Sequence, residues 1–156
     1  MTTPSAQAHP ERSRARAWAL QVLYQWESAE PGPSPTDALN VILASRVVSP
    51  NRIPHLRSIV ETFSNHRTQV DGAVSDALEH WTFERLGWVD RQVLRVGATE
   101  LLYLGDVPPR VAIHEAVRLA ERYGSDESPR FVNGILDAIA RGTAAMSVRR
   151  RGDPGG

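Results

Sequence analysis

From about residue 12 to about residue 141, apolar residues recur every three to four positions. No run alternates apolar and polar residues for long enough to build a sheet. That periodicity predicts an all-α protein of about seven helices. Proline punctuates it: EPGPSPTD, VVSPNRIP, GDVPP and SDESP each stop one helix and prepare the next, because proline cannot continue a helix yet fits its first position. The predicted helices cover about 12–28, 35–46, 54–66, 67–80, 90–104, 109–123 and 129–141.

Local chemistry sharpens some of these boundaries. Ser34 is predicted as an N-cap, with Pro35 at N1 and Asp37 at N3. Ser128 and Pro129 repeat the cap and N1 pattern before the last helix, and Gly124 is a predicted C-terminal stop. Asp90 could cap the fifth helix, with Val89 and Leu94 as its hydrophobic staple. In the first helix, Ala15, Ala19, Val22, Leu23 and Trp26 share one stripe, with Arg14, Gln21 and Gln25 opposite. The 109–123 helix is expected to bury Ala112, Ala116, Leu119, Ala120 and Tyr123. Gly97 is expected to admit a neighbouring helix closely. Residues 1–10 and about 147–156, polar and rich in Pro, Gly and Arg, are expected to lack fixed structure.

The 156 residues fit one domain or two small subdomains sharing a core. Formal net charge is +0, so any affinity for nucleic acid must come from local segregation of charge. Every cation is arginine, which a GC-rich genome would also produce; the consequence is a planar, bidentate donor at each site. The absence of cysteine removes disulfides and thiolate chemistry and suits a reducing cytoplasm. No signal-peptide pattern and no run of membrane-spanning length is visible, so a cytoplasmic protein without membrane contact is expected.

Motifs for catalysis are missing: no phosphate loop, nucleophile elbow, HExxH or dinucleotide fingerprint. The five histidines show no ligand spacing, and His114 points away from its helix's apolar stripe. No catalytic residue, metal site or cofactor is predicted. Two stretches carry a binding signature instead. In ERSRARAWALQVLYQWE, Arg12, Arg14 and Arg16 crowd a helix start, where the macrodipole disfavours cations and favours a bound anion. They are either a phosphate site or a solvated basic end paired with Glu11 and Glu27. In YGSDESPRFVNG, Arg130, Phe131 and Asn133 open a helix and offer a cation, an aromatic face and an amide. The alternative there is a core-flanking Phe and a capping Asn.

RSRARAWALQVLYQWE together with DRQVLRVGATELLYLGDVPPRVAIHEAVRLAERYGSDESPRFVNGILDAIAR resembles the NusB family of bacterial transcription antitermination factors, over about residues 12–142. The resemblance implies two packed helical subbundles, about 11–80 and 81–146. It implies binding of single-stranded boxA RNA in ribosomal RNA leader transcripts. It also implies partnership with NusE, a small-subunit ribosomal protein, in a complex on RNA polymerase that suppresses termination. Arg12, Arg14 and Arg16 match the family's basic motif, and Gln21 lies on the same helix. Glu127, Arg130, Phe131 and Asn133 match its second RNA-contacting patch. Tyr24, Glu84, Asp90 and Arg95 fall at NusE-facing positions. Ser13 interrupts the basic motif, and RRRGDPGG lies outside the pattern. Two other classes remain: a helical adaptor without RNA activity, and a stand-alone relative of the helical domain of an rRNA cytosine methyltransferase.

Overall fold

The computed structural model describes the backbone of residues 9–152 and side-chain environments through residue 143. The expected 1–10 tail lies outside the described residues except for His9 and Pro10. Seven α-helices and no strand occur among the described residues: α1 Pro10–Ser28, α2 Pro35–Ser45, α3 Ile53–Asn65, α4 Arg67–Ala77, α5 Trp88–Tyr103, α6 Pro109–Tyr123 and α7 Ser128–Gly152. Short 3₁₀ turns, Pro50–Arg52 and Phe83–Arg85, precede α3 and α5. Helices α1, α2 and α3 pack on one another, as do α5, α6 and α7. Helix α5 touches both groups, and α4 lies against α5 and α7. One apolar cluster runs through both groups, from Ala15 and Leu23 to Leu136 and Ile139.

Several local predictions hold for the stated reason. Ser34 and Asp37 form a reciprocal capping box at the start of α2. The α1 stripe is buried as expected. A Cβ at Gly97 would stand 2.5 Å from Leu136 Cδ1 and 3.3 Å from Ala116 Cβ, so only glycine lets α6 and α7 close on α5.

Other details differ. Helix α4 stops at Ala77 rather than near 80, where Leu78 turns extended. Tyr123, expected in the core, is 44% exposed, because it is the last residue of α6 and the chain turns away. Gly124 does end α6, but in an extended conformation with φ −94°. Its lack of a Cβ makes room for Ser128, whose Oγ would lie 2.6 Å from one. Ser128 is not an N-cap: it is buried inside the first turn of α7, and its hydroxyl accepts the Ser125 N–H at 2.9 Å. Asp90 is not a cap either. Gly87 holds that position, and Asp90 sits inside the first turn of α5 without a capping hydrogen bond. Helix α7 continues to Gly152, so most of the stretch expected to be an unstructured tail is helical; 153–156 lie outside the described residues.

Candidate nucleic-acid interface

Helix α1 begins at Pro10 with no side-chain cap, and its first internal hydrogen bond runs from the Ser13 N–H to the His9 carbonyl. The amides of Glu11 and Arg12 are therefore left without helical acceptors. The three arginines of this turn have three different fates. Arg12 donates from Nη2 to Asp106 Oδ2 at 2.8 Å, at the surface. That hydrogen bond holds the Asp106 carboxyl below the usual carboxylate range. Arg14 is exposed, and among the described residues its one ion-pair neighbour is Glu11 at 3.9 Å.

Arg16 is not on the outer face at all. It is 2% exposed and makes a bidentate pair with Glu100 of α5, at 2.7 and 2.9 Å. His55 Nε2 of α3 meets the same carboxylate at 2.9 Å. Burial alone would raise the Glu100 carboxyl, but hydrogen bonds from His55 and Arg16 outweigh it and hold the pKa below 4.5. The reason lies in the helical repeat. Position 16 adjoins Ala15 and sits one turn before Ala19 and Leu20, all buried against the bundle. The expected RNA contact at Arg16 is thereby corrected to an internal clamp joining α1, α3 and α5.

Arg95 meets a similar correction. The resemblance turns it toward a protein partner, yet it is 1% exposed. Asp71 accepts two of its N–H groups at 2.9 and 3.0 Å, and Glu27 accepts a third at 2.6 Å. The rings of Trp26, Phe63 and Phe83 surround the guanidinium at 5.1 to 5.3 Å. Glu27 also accepts from Arg91 and Gln92. Burial pushes its carboxyl up, and Arg95 with these other donors carries it back below 4.5.

The remaining expected residues are at or near the surface. Gln21, Glu127, Arg130 and Asn133 are exposed, and Phe131 is half-buried, packed against the edge of the core. Tyr24 is 48% exposed and stands edge-on to Trp88, itself 45% exposed, with ring centres 5.6 Å apart. Glu84 is exposed on the 3₁₀ turn, where its carbonyl accepts from Arg91 Nη2 at 3.0 Å. One pocket gathers Trp81, Asp90, Ser125, Glu127 and Phe131. It joins a residue expected to face a protein to two expected to face RNA. Asp90 Oδ1 is shielded from solvent and has no hydrogen-bond partner among the described residues. Sequence reasoning misses Trp88, because WTFERLGW gives no period to say which aromatics face outward.

The fold and its surface define a class: an all-helical binding module with arginines at two helix starts and an exposed aromatic and acidic patch beside the second. Among the described residues no group of His, Cys, Asp and Glu is arranged to hold a metal, and no helix is long and apolar enough to cross a membrane. The chain belongs to the NusB family, whose model matches residues 13–141. It is 41% identical over 130 residues to the transcription antitermination protein NusB of Treponema pallidum, covering 83% of this chain and 92% of that one. The T. maritima NusB structure superposes with a TM-score of 0.74 at 35% identity, over 90% of this chain and 93% of that one. A structure of NusB and NusE in complex with double-stranded RNA matches at a TM-score of 0.75 and 28% identity, over 86% and 99% of the two chains.

Proposed function

We propose that this protein is a transcription antitermination factor that binds boxA-type RNA of nascent ribosomal RNA leaders together with a NusE-type ribosomal protein. In this reading it works without a catalytic step or cofactor, in the cytoplasm, as part of a complex on RNA polymerase. One observation carries the reading: a single pocket brings Phe131 and Glu127 beside Asp90, in a chain of the NusB family. RNA would lie along Arg14 and the Arg130–Phe131–Asn133 corner. Arg12 would exchange Asp106 for phosphate at small cost, since an exposed ion pair is worth only about 0–1 kcal/mol. The partner would cover Tyr24, Trp88 and Glu84 and lie beside Asp90.

The test is a titration of labelled U-rich boxA-type single strands with the protein, with NusE and with the mixture, at several salt concentrations. Tighter binding by the mixture and loss of binding at high salt are expected. Equal affinity with and without NusE would remove the cooperative part. Absence of salt-sensitive binding would leave a helical adaptor. A duplex of the same sequence, run in parallel, tells single-strand preference from general affinity for RNA.

A further inference from the structure

We propose that α6 carries an additional RNA-binding track, formed by Arg118, Arg122 and Tyr123 across a groove from Ser13 and Ala17 of α1. The track rests on the RNA-binding reading above and adds residues outside the two helix starts.

The groove is lined by Ser13 and Ala17 of α1 and by Arg118, Arg122 and Tyr123 of α6, with Glu115 and Glu121 of α6 also reaching it. Arg118 and Arg122 are exposed, and neither makes an ion pair among the described residues. Of the two carboxylates in the groove, Glu115 is already engaged, accepting the Ser13 hydroxyl at 2.9 Å and lying 3.9 Å from Arg16, while the exposed Glu121 makes no ion pair among the described residues. Arg118 and Arg122 stand one helical turn apart on the same face, where like charges repel. Two adjacent cations that no carboxylate holds in an ion pair leave room for an anion between them, which would turn their mutual repulsion into attraction to a shared ligand. Two guanidinium groups suit phosphate better than a single carboxylate does, because each can bind oxygens in pairs.

The aromatic neighbour fixes the class of anion. The Arg122 guanidinium lies 5.5 Å from the Tyr123 ring centre, and that ring projects from the end of α6 rather than into the core. A cation over a half-exposed ring, beside a second free cation, is the arrangement by which proteins hold single strands: phosphate on arginine, base on the aromatic face. The groove also borders the arginine-rich turn of α1, so one strand can follow both.

The experiment uses the full chain and a labelled single-stranded boxA-type RNA across a salt series. Four proteins are compared: the unaltered chain, the Arg118→Gln/Arg122→Gln double variant, Tyr123→Ala, and Arg110→Gln. Arg110 is an exposed arginine on the same helix but outside the groove. Melting curves accompany each titration, so affinity is read per folded molecule. The double variant is expected to lower the salt slope by about 0.7 for each phosphate it no longer neutralises. Tyr123→Ala is expected to weaken binding about fivefold or more at fixed salt, with the slope unchanged. Arg110→Gln is expected to change neither. If the unaltered protein binds RNA and the double variant has its slope, or the control falls as far as the double variant, the α6 track is overturned and the function stands. If the unaltered protein binds no RNA, both fail together.

Discussion

Arg14 and Arg16 are two residues apart on one helix and obey different physics. Arg16 is a buried cation chelated by Glu100, so Arg16→Ala leaves that carboxylate with only His55 inside the core. Breaking such a pair costs about 3–5 kcal/mol, which thermal melting will read directly. Arg14→Ala should leave stability within about 0.5 kcal/mol. It should weaken RNA binding across sequences alike and reduce the salt slope by about 0.7. An Arg14 variant with an unchanged slope would return that residue to the solvated reading. Acid should act through Glu100. Its folded pKa lies below 4.5, so its contribution is present above that pH and is lost as pH falls through the folded value. Melting temperature should therefore drop on acidification below about pH 4.5, and less steeply in Glu100→Gln. Phe131 stands between the two cases. Half-buried at the edge of the core, it should lose about 1–3 kcal/mol of RNA affinity on truncation to Ala if it stacks a base. Normal affinity per folded molecule together with a large drop in melting temperature would make it a packing residue only.

Helix α5 shows what the sequence could say about elements and what it could not. Its span, its glycine and its apolar period were legible, because backbone chemistry writes them locally. Gly97 illustrates the point: Gly97→Val should cost about 1–3 kcal/mol by overpacking against Leu136 and Ala116. Gly142, exposed on α7 with nothing within 4 Å of a Cβ, should gain about 0.5–1 kcal/mol on change to Ala. Thermal melts of the two variants should move in opposite directions. The partners of charged residues were not legible. Arg16 finds Glu100 at a separation of 84 positions, and Arg95 finds Asp71 at 24; no period in either helix announces such a meeting. Residue type does not say whether an arginine faces water or a buried carboxylate, so the helix-start argument and the resemblance placed Arg16 at RNA, and the resemblance placed Arg95 at a partner. Ser128 and Asp90 failed as caps for a related reason. Their residue types favour a cap, but the helices begin elsewhere, at Ser128 itself and at Trp88. Arg118 and Arg122 needed α1 packed alongside before their groove existed.

At the scale of the molecule, α1 is fastened to the rest by two charged clusters. Arg16, Glu100 and His55 tie it to α5 and α3, and Glu27 with Arg91, Gln92 and Arg95 ties its far end to α5. If RNA and a protein partner bind on the adjoining faces as proposed, the factor by which the partner tightens RNA must equal the factor by which RNA tightens the partner. Titrations run in both orders should return one coupling constant, and unequal values at equilibrium would show a third species. The clusters bear also on heat. The cost of taking ions out of water falls as temperature rises, while the gain from burying hydrocarbon levels off. A chain in which Arg16→Met, His55→Leu and Glu100→Leu are made together should match or exceed the original near 25 °C, since apolar replacements of a whole buried cluster often do. On warming, the two stability curves should converge and then cross. By that account, the clamp beneath the arginine-rich turn is a thermal reserve: of little net worth in the cold, it gains value as hydration weakens, and it keeps the candidate RNA face assembled at the temperatures where burying hydrocarbon brings no further gain.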